Sequence, residues 1–141
     1  MKIVIDTNIV LDTIGKRQPF FEQSRNVMQL VAQRKMDGAI TANTVTDIAY
    51  LLRKHIGQDS IKTALRNLMD MLAVLEVNRS LCLKAFDIPI TDYEDALLAA
   101  CAQHWKADYI VTRNCKDFAG SPVKAMVPKD FLKQFQIFPG K

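Results

Sequence analysis

Five aspartates, Asp6, Asp47, Asp92, Asp95 and Asp117, are the residues of this sequence whose type and spacing could do chemistry together. Asp6 closes the apolar run Lys2 to Ile5, and Asp117 follows Thr112, Arg113 and Asn114 in a polar stretch. Asp92 and Asp95 stand three apart in the first turn of a helical pattern, so both carboxylates leave one face near its N-terminus. Asp47 lies beside the apolar stripe of another helical pattern. Carboxylates gathered in one place repel, and raise one another's pKa unless a cation neutralises them. A ligand set of oxygens without Cys or His favours a hard ion, Mg²⁺ or Mn²⁺, over zinc. Such an ion suits phosphoryl chemistry: it holds the phosphate, activates water and stabilises the leaving oxygen. The sequence offers no other nucleophile–base pair and no glycine-rich phosphate loop.

Each aspartate also has a plain structural explanation. Asp6 could cap a helix, because an aspartate there accepts an orphan backbone N–H. Asp92 and Glu94 could simply complement a helix dipole. Asp117 could close an Asx-turn, and Asp47 could be a solvated residue at a helix margin. What separates the two readings is whether the fold brings these residues to one place.

The elements that must do so are legible from periodicity. Short apolar, β-branched runs at Lys2–Ile5, 39–41, Ala73–Val77, Tyr109–Thr112 and Val123–Val127 read as strands. Helical spacing places a short helix from Ile9 to about Gly15 and a second from Phe20 to about Asp37-Gly38. Further helices are expected over Thr44–Ile56, closed by Gly57, then Ser60–Leu72 and Arg79–Asp87. Thr91 to Trp105 is the clearest, its Thr91-Asp92-Tyr93-Glu94 start matching a capping box, and Pro128 opens a last one. Strands alternating with helices imply a three-layer α/β sandwich around a central, mainly parallel sheet of about five strands. In such a sheet ligands sit beyond the C-terminal strand ends, where Asp6 and Asp117 fall.

Composition agrees with one domain over 1–141: 49% of residues are hydrophobic and 24% charged. The excess of 19 Lys+Arg over 15 Asp+Glu, a net +4, permits a polyanionic partner without requiring one. Cys82, Cys101 and Cys115 form no C-x-x-C and lie far in sequence from His55 and His104, so neither zinc nor a disulfide framework is indicated. A cytoplasmic location without membrane association is expected, since no apolar run approaches the roughly 20 residues of a membrane span.

Ile3-Val4-Ile5-Asp6-Thr7-Asn8, Asp92-Tyr93-Glu94-Asp95-Ala96-Leu97 and Val111-Thr112-Arg113-Asn114-Cys115-Lys116-Asp117-Phe118 together resemble the successive signatures of PIN-domain proteins. Within that family the short chain is similar to the VapC-like toxins of toxin–antitoxin pairs. The resemblance implies a Mg²⁺- or Mn²⁺-dependent ribonuclease with its acids at one end of a parallel sheet. Asp6, Asp95 and Asp117 then match the first, third and fourth metal carboxylates. Asp47 stands where the family usually has a glutamate, a departure that shortens the ligand's reach, and Asp92 is an extra acid beside Asp95. Thr7, Asn8, Thr112 and Asn114 fall where the family places polar groups that support the site or orient substrate. Arg113 and Lys116, beside Asp117, are candidates to hold flanking phosphates, with solvated loop charges as the alternative. The resemblance further implies a cognate antitoxin and a homodimer; Phe20, Phe21, Leu51 and Leu52 could line either interface or simply pack in the core.

Other readings stay open on the sequence. The same acids would serve a nuclease that acts on DNA or in RNA processing. The Asp47 departure would fit a PIN-like binding module without catalysis. An aspartyl phosphatase is disfavoured, because Asn8 occupies the position where that chemistry wants a second acid.

Overall fold

A computed structural model describes residues 1–135. Its five strands are β1 (Lys2–Ile5), β2 (Asp37–Thr41), β3 (Ala73–Leu75), β4 (Tyr109–Val111) and β5 (Ala125–Met126). Their order across the sheet is β3-β2-β1-β4-β5, and every neighbouring pair is parallel. Parallel strands need long crossovers, and helices supply them. These are α1 (Thr7–Ile14), α2 (Phe21–Ala32), α3 (Ala42–Leu52), α4 (Gln58–Met71), α5 (Arg79–Ala85), α6 (Tyr93–Trp105) and α7 (Pro128–Phe135).

Alternation along β1 explains the layering. Ile3 and Ile5 join a core with α1, α2, α3, α4 and α7, whereas Val4 faces the second core, formed with α5 and α6. All three side chains are fully buried, which requires cover on both faces. Ile110 and Val111 divide between the two cores in the same way. The result is the expected three-layer sandwich. Helix α6 is buried continuously from Ala96 to Ala102, and its run of alanines lets a helix without a polar stripe lie close on the sheet.

Several boundaries differ from the sequence reading. Helix α2 stops at Ala32 rather than near Asp37-Gly38: Arg34 turns left-handed (φ 57°) and the Lys35 N–H donates to the Leu30 carbonyl at 2.9 Å. Gly38 belongs to β2, and a Cβ there would lie 2.7 Å from Val31, so glycine lets α2 close on the strand. Gly57 is the N-cap of α4 and does not close α3, which runs from Ala42 to Leu52. The polar stretch after β4 contains a short 3₁₀ turn, Cys115–Phe118, that periodicity could not reveal.

Gly120 ends that connection where a Cβ would overlap the backbone carbonyl oxygen of Pro89. Backbone cannot yield as a flexible side chain would. Gly120→Ala is therefore expected to destabilise the fold by about 1–3 kcal/mol, the range of an overpacked site. Urea unfolding checks this; an unchanged midpoint would show that the 89 and 120 segments separate freely.

Candidate active site

With β1 flanked by β2 on one side and β4 on the other, the chain reverses its winding between β1 and β4. The crevice beyond the C-terminal ends of those strands is where an open parallel sheet binds ligands. Asp6 stands at its edge. Its N–H donates to the Val111 carbonyl at 3.0 Å, extending the β1–β4 ladder by one residue before α1 begins. One carboxylate oxygen accepts the Thr7 N–H at 2.8 Å and the other accepts the Thr112 hydroxyl at 2.7 Å. Thr112 Oγ1 in turn accepts the Asn114 N–H at 3.0 Å, so one buried hydroxyl fixes both Asp6 and the start of the following turn. Burial raises the Asp6 pKa above the usual carboxylate range; the Thr112 and Thr7 hydrogen bonds and the Arg113 charge oppose this, and the Asp117 charge adds to it.

The helix-cap explanation of Asp6 is thus true, yet incomplete. Asp6 also lines a cavity of about 350 Å³ with Thr7, Asn8, Asp47, Tyr50, Leu51, Asp92, Glu94, Asp95 and Asn114. Thr7 is steadied by a chain of hydroxyls: its Oγ1 lies 3.3 Å from that of Thr44, which lies 3.0 Å from that of Thr41. This ties the starts of α1 and α3 together behind the acids.

Helix α6 contributes three acids, and here the register departs from expectation. The N-cap is Asp92, not Thr91, and its Oδ1 accepts the Asp95 N–H at 3.0 Å. A capping box over Thr91–Glu94 would have turned Glu94 back on its own helix. The one-residue shift frees it instead. Glu94 meets Asp47 of α3 within hydrogen-bonding reach, and that bond, then burial and the charges of Asp47, Asp92 and Asp95, raise its pKa to about 7. Asp95 rises to about 6 through burial and then the charges of Asp92, Asp6 and Asp117. Asp117 lies on the exposed 3₁₀ turn and is absent from the cavity lining, but its charge reaches both Asp6 and Asp95. The fold therefore brings all five sequence aspartates to one end of the sheet.

Glu94 is the cavity acid that the sequence reading assigned only to the start of its helix, in a capping box and against the dipole. Three acids within four residues of a helix start were its signal. Asp12, buried in α1, carries no site role in the sequence reading, because the partner that makes its shortest contact, Arg113, is distant in sequence. Arg113 does not stand in a solvated loop: its Nε lies 3.0 Å from Asp12 Oδ2 and its guanidinium carbon 4.0 Å from the Phe20 ring centroid. Lys116 is exposed beside Asp117. Leu52 is core, while Leu51 and Phe20 remain exposed.

The donor set is all oxygen, and burial with the neighbouring charges disfavours the ionised forms of Asp6 and Asp95, so its chemistry fits a hard divalent cation. The acids surround the cavity without closing on a centre: among the described residues, no three His, Cys, Asp or Glu side chains are grouped closely enough to enclose an ion.

A model of the PIN domain matches residues 2–116 of this chain. The chain belongs to the PIN-domain family. The matched span of this PIN domain holds Asp6, Asp47, Asp92 and Asp95, and ends one residue before Asp117. Solved structures share its fold at low identity. VapBC2 from Rickettsia felis, bound to a DNA fragment from its promoter, is 19% identical, with 90% of this chain and 98% of that chain covered and a TM-score of 0.69. DNA-bound VapBC from Salmonella typhimurium is 22% identical over 91% of this chain and 98% of that one, TM-score 0.68. VapC20 from Mycobacterium tuberculosis, a sarcin–ricin loop cleaving toxin, is 15% identical over 77% and 86%, TM-score 0.60. No match was found among curated proteins. Among the described residues of this PIN domain, no helix is long and apolar enough to cross a membrane.

Proposed function

We propose that this PIN domain is a Mg²⁺- or Mn²⁺-dependent endoribonuclease and the toxin of a toxin–antitoxin pair. The observation that carries the reading is the convergence of Asp6, Asp47, Asp92, Glu94 and Asp95 on one cavity beside Asp117. Asp6 and Asp92 each cap a helix, but capping does not require five acids to share one cavity; together they destabilise one another, and a cation relieves that. Asp6, Asp95 and Asp117 would hold the ion, with Asp47 assisting and Asp92 bordering it. When bound, the ion supplies an activated water and charge stabilisation at the leaving oxygen.

The chain's own residues do the rest. Thr112 holds Asp6 in one orientation. Asn8 and Asn114, both on the cavity wall, are placed to orient an RNA backbone, and Thr7 keeps α1 against α3. Glu94, raised to about 7 beside Asp47, holds a proton near neutral pH and stands ready to exchange it. Lys116, exposed beside Asp117, is placed to meet a flanking phosphate, whereas Arg113 is engaged with Asp12. An antitoxin segment would lie in the apolar hollow of about 390 Å³ formed by Leu11, Ile14, Leu51, Leu52, His55 and Ile56, which shares Leu51 with the acidic cavity. A homodimer in the cytoplasm completes the reading.

The test is cleavage of structured RNA, single-stranded DNA and flapped duplex with and without Mn²⁺. Cleavage confined to RNA and abolished by chelation is expected. Cleavage of DNA alone would reassign the substrate, and no cleavage by protein shown calorimetrically to be metal-free and metal-inert would favour a binding module.

A further inference from the structure

Asp12 is a carboxylate with no solvent exposure, on a helix whose neighbouring Ile9, Val10 and Leu11 are core. Burial raises its pKa, against the charge of Arg113, the Ser24 hydrogen bond and the charge of Arg17. A buried ion pair is a poor way to gain stability, since an apolar residue of the same volume often does as well. What it does supply is a defined geometry. Ser24 Oγ donates to Asp12 Oδ2 from α2 at 3.3 Å, and Arg17, after α1, lies 3.9 Å from Oδ1. The shortest contact is Arg113 Nε at 3.0 Å and, among the described residues, it comes from the far side of the β1/β4 crevice, unlike Ser24 and Arg17. The Phe20 ring covers the same guanidinium, so Arg113 is confined by charge on one side and by an aromatic face on another.

Arg113 directly follows Thr112, whose hydroxyl bonds Asp6. Two consecutive residues at the exit of β4 are therefore gripped by two acids from one end and the interior of α1: Asp6 takes Thr112 and Asp12 takes Arg113. Asn114, on the cavity wall, and Asp117, whose N–H donates to the Asn114 carbonyl at 3.0 Å, depend on where that pair of grips sets the chain.

We propose that Asp12 is a positioning residue, acting through Arg113 to hold the 112–117 segment in register with Asp6. The kinetic part rests on the nuclease reading above; the structural part does not. Asp12→Asn removes one side of the pair at nearly constant volume, and Arg113→Gln removes the other with a shorter, uncharged side chain. Hydrogen exchange is expected to speed up about tenfold or more at the Asn114 and Asp117 amides in both variants, with β1 and α6 unchanged. The double variant should go no further than the larger single effect, because the two residues act as one device. In an RNA-cleavage assay kcat should fall about tenfold or more at unchanged KM. Wild-type exchange at 114 and 117, acceleration spread evenly over β1 and α6, or additive effects would overturn the proposal. So would a raised KM at unchanged kcat, which would make Arg113 a direct phosphate ligand. If the wild-type protein cleaves no RNA, the functional reading fails while exchange still decides this one.

Discussion

Asp6→Asn is expected to abolish metal-dependent RNA cleavage, by about a thousandfold or more, while leaving the protein folded and at least as stable. The loss corresponds to about 4 kcal/mol of transition-state stabilisation. Asparagine keeps an oxygen for the Thr7 N–H, so the start of α1 survives. It cannot accept the Thr112 hydroxyl at its second position, but Thr112 still accepts the Asn114 N–H and can turn its own proton elsewhere. What disappears is the negative charge. That charge is unfavourable in the folded chain, as the raised Asp6 pKa shows: burial outweighs the two hydrogen bonds and Arg113. Removing it relieves a strain kept for chemistry, so the thermal midpoint should hold or rise while activity vanishes. Retained cleavage by a pure preparation would remove Asp6 from the site. Lost cleavage with a falling midpoint would instead mark Asp6 as a structural cap.

The sandwich was legible because short apolar runs alternate with longer helical patterns along the chain. Ile3, Val4 and Ile5 are apolar without alternation, and so short a β-branched run bounded by polar residues fits a strand covered on both faces. Asp6 and Asp117 were placed correctly at one end because strand polarity alone decides where loops gather. The finer errors share a cause. Thr91 and Asp92 are both good caps, and only the sheet contact of Ala96 to Ala102 sets the register that makes Asp92 the cap and turns Glu94 toward Asp47. Arg34 ends α2 without glycine because Asp37 must donate its N–H to the Met1 carbonyl to begin β2. Asp12 gives no local signal: its charge is balanced by Arg113, and no window of sequence contains both. Local pattern reports which face is apolar. It does not report which polar groups inside that face have found partners.

Without metal, the protein is expected to be more stable at pH 5 than at pH 8. Asp6 and Asp95 hold their protons more tightly folded than an unfolded carboxyl does, Asp95 up to about 6, and Glu94 holds its proton up to about 7. From the ordinary carboxylate range up to these values the folded chain binds more protons than the unfolded one. Stability therefore falls as pH rises through about 6 to 7, and is regained on acidification until unfolded carboxyls protonate near pH 4. A shift of about two units in Asp95 sets an upper limit of about 3 kcal/mol, which solvent at a half-buried group reduces to on the order of 1–2 kcal/mol. For a domain of this size that is a rise in midpoint of roughly 3–8 °C. A divalent cation must act in the opposite sense. Mn²⁺ at a hundred times its dissociation constant would add about 2.7 kcal/mol at pH 8, where the acids are ionised, and less at pH 5, where protons compete for them. Thermal melts at both pH values, with and without Mn²⁺, separate the two effects. A metal-free midpoint that climbs from pH 5 to pH 8 and ignores Mn²⁺ would mean these carboxylates do not face one another in solution, and the catalytic reading would lose its physical basis.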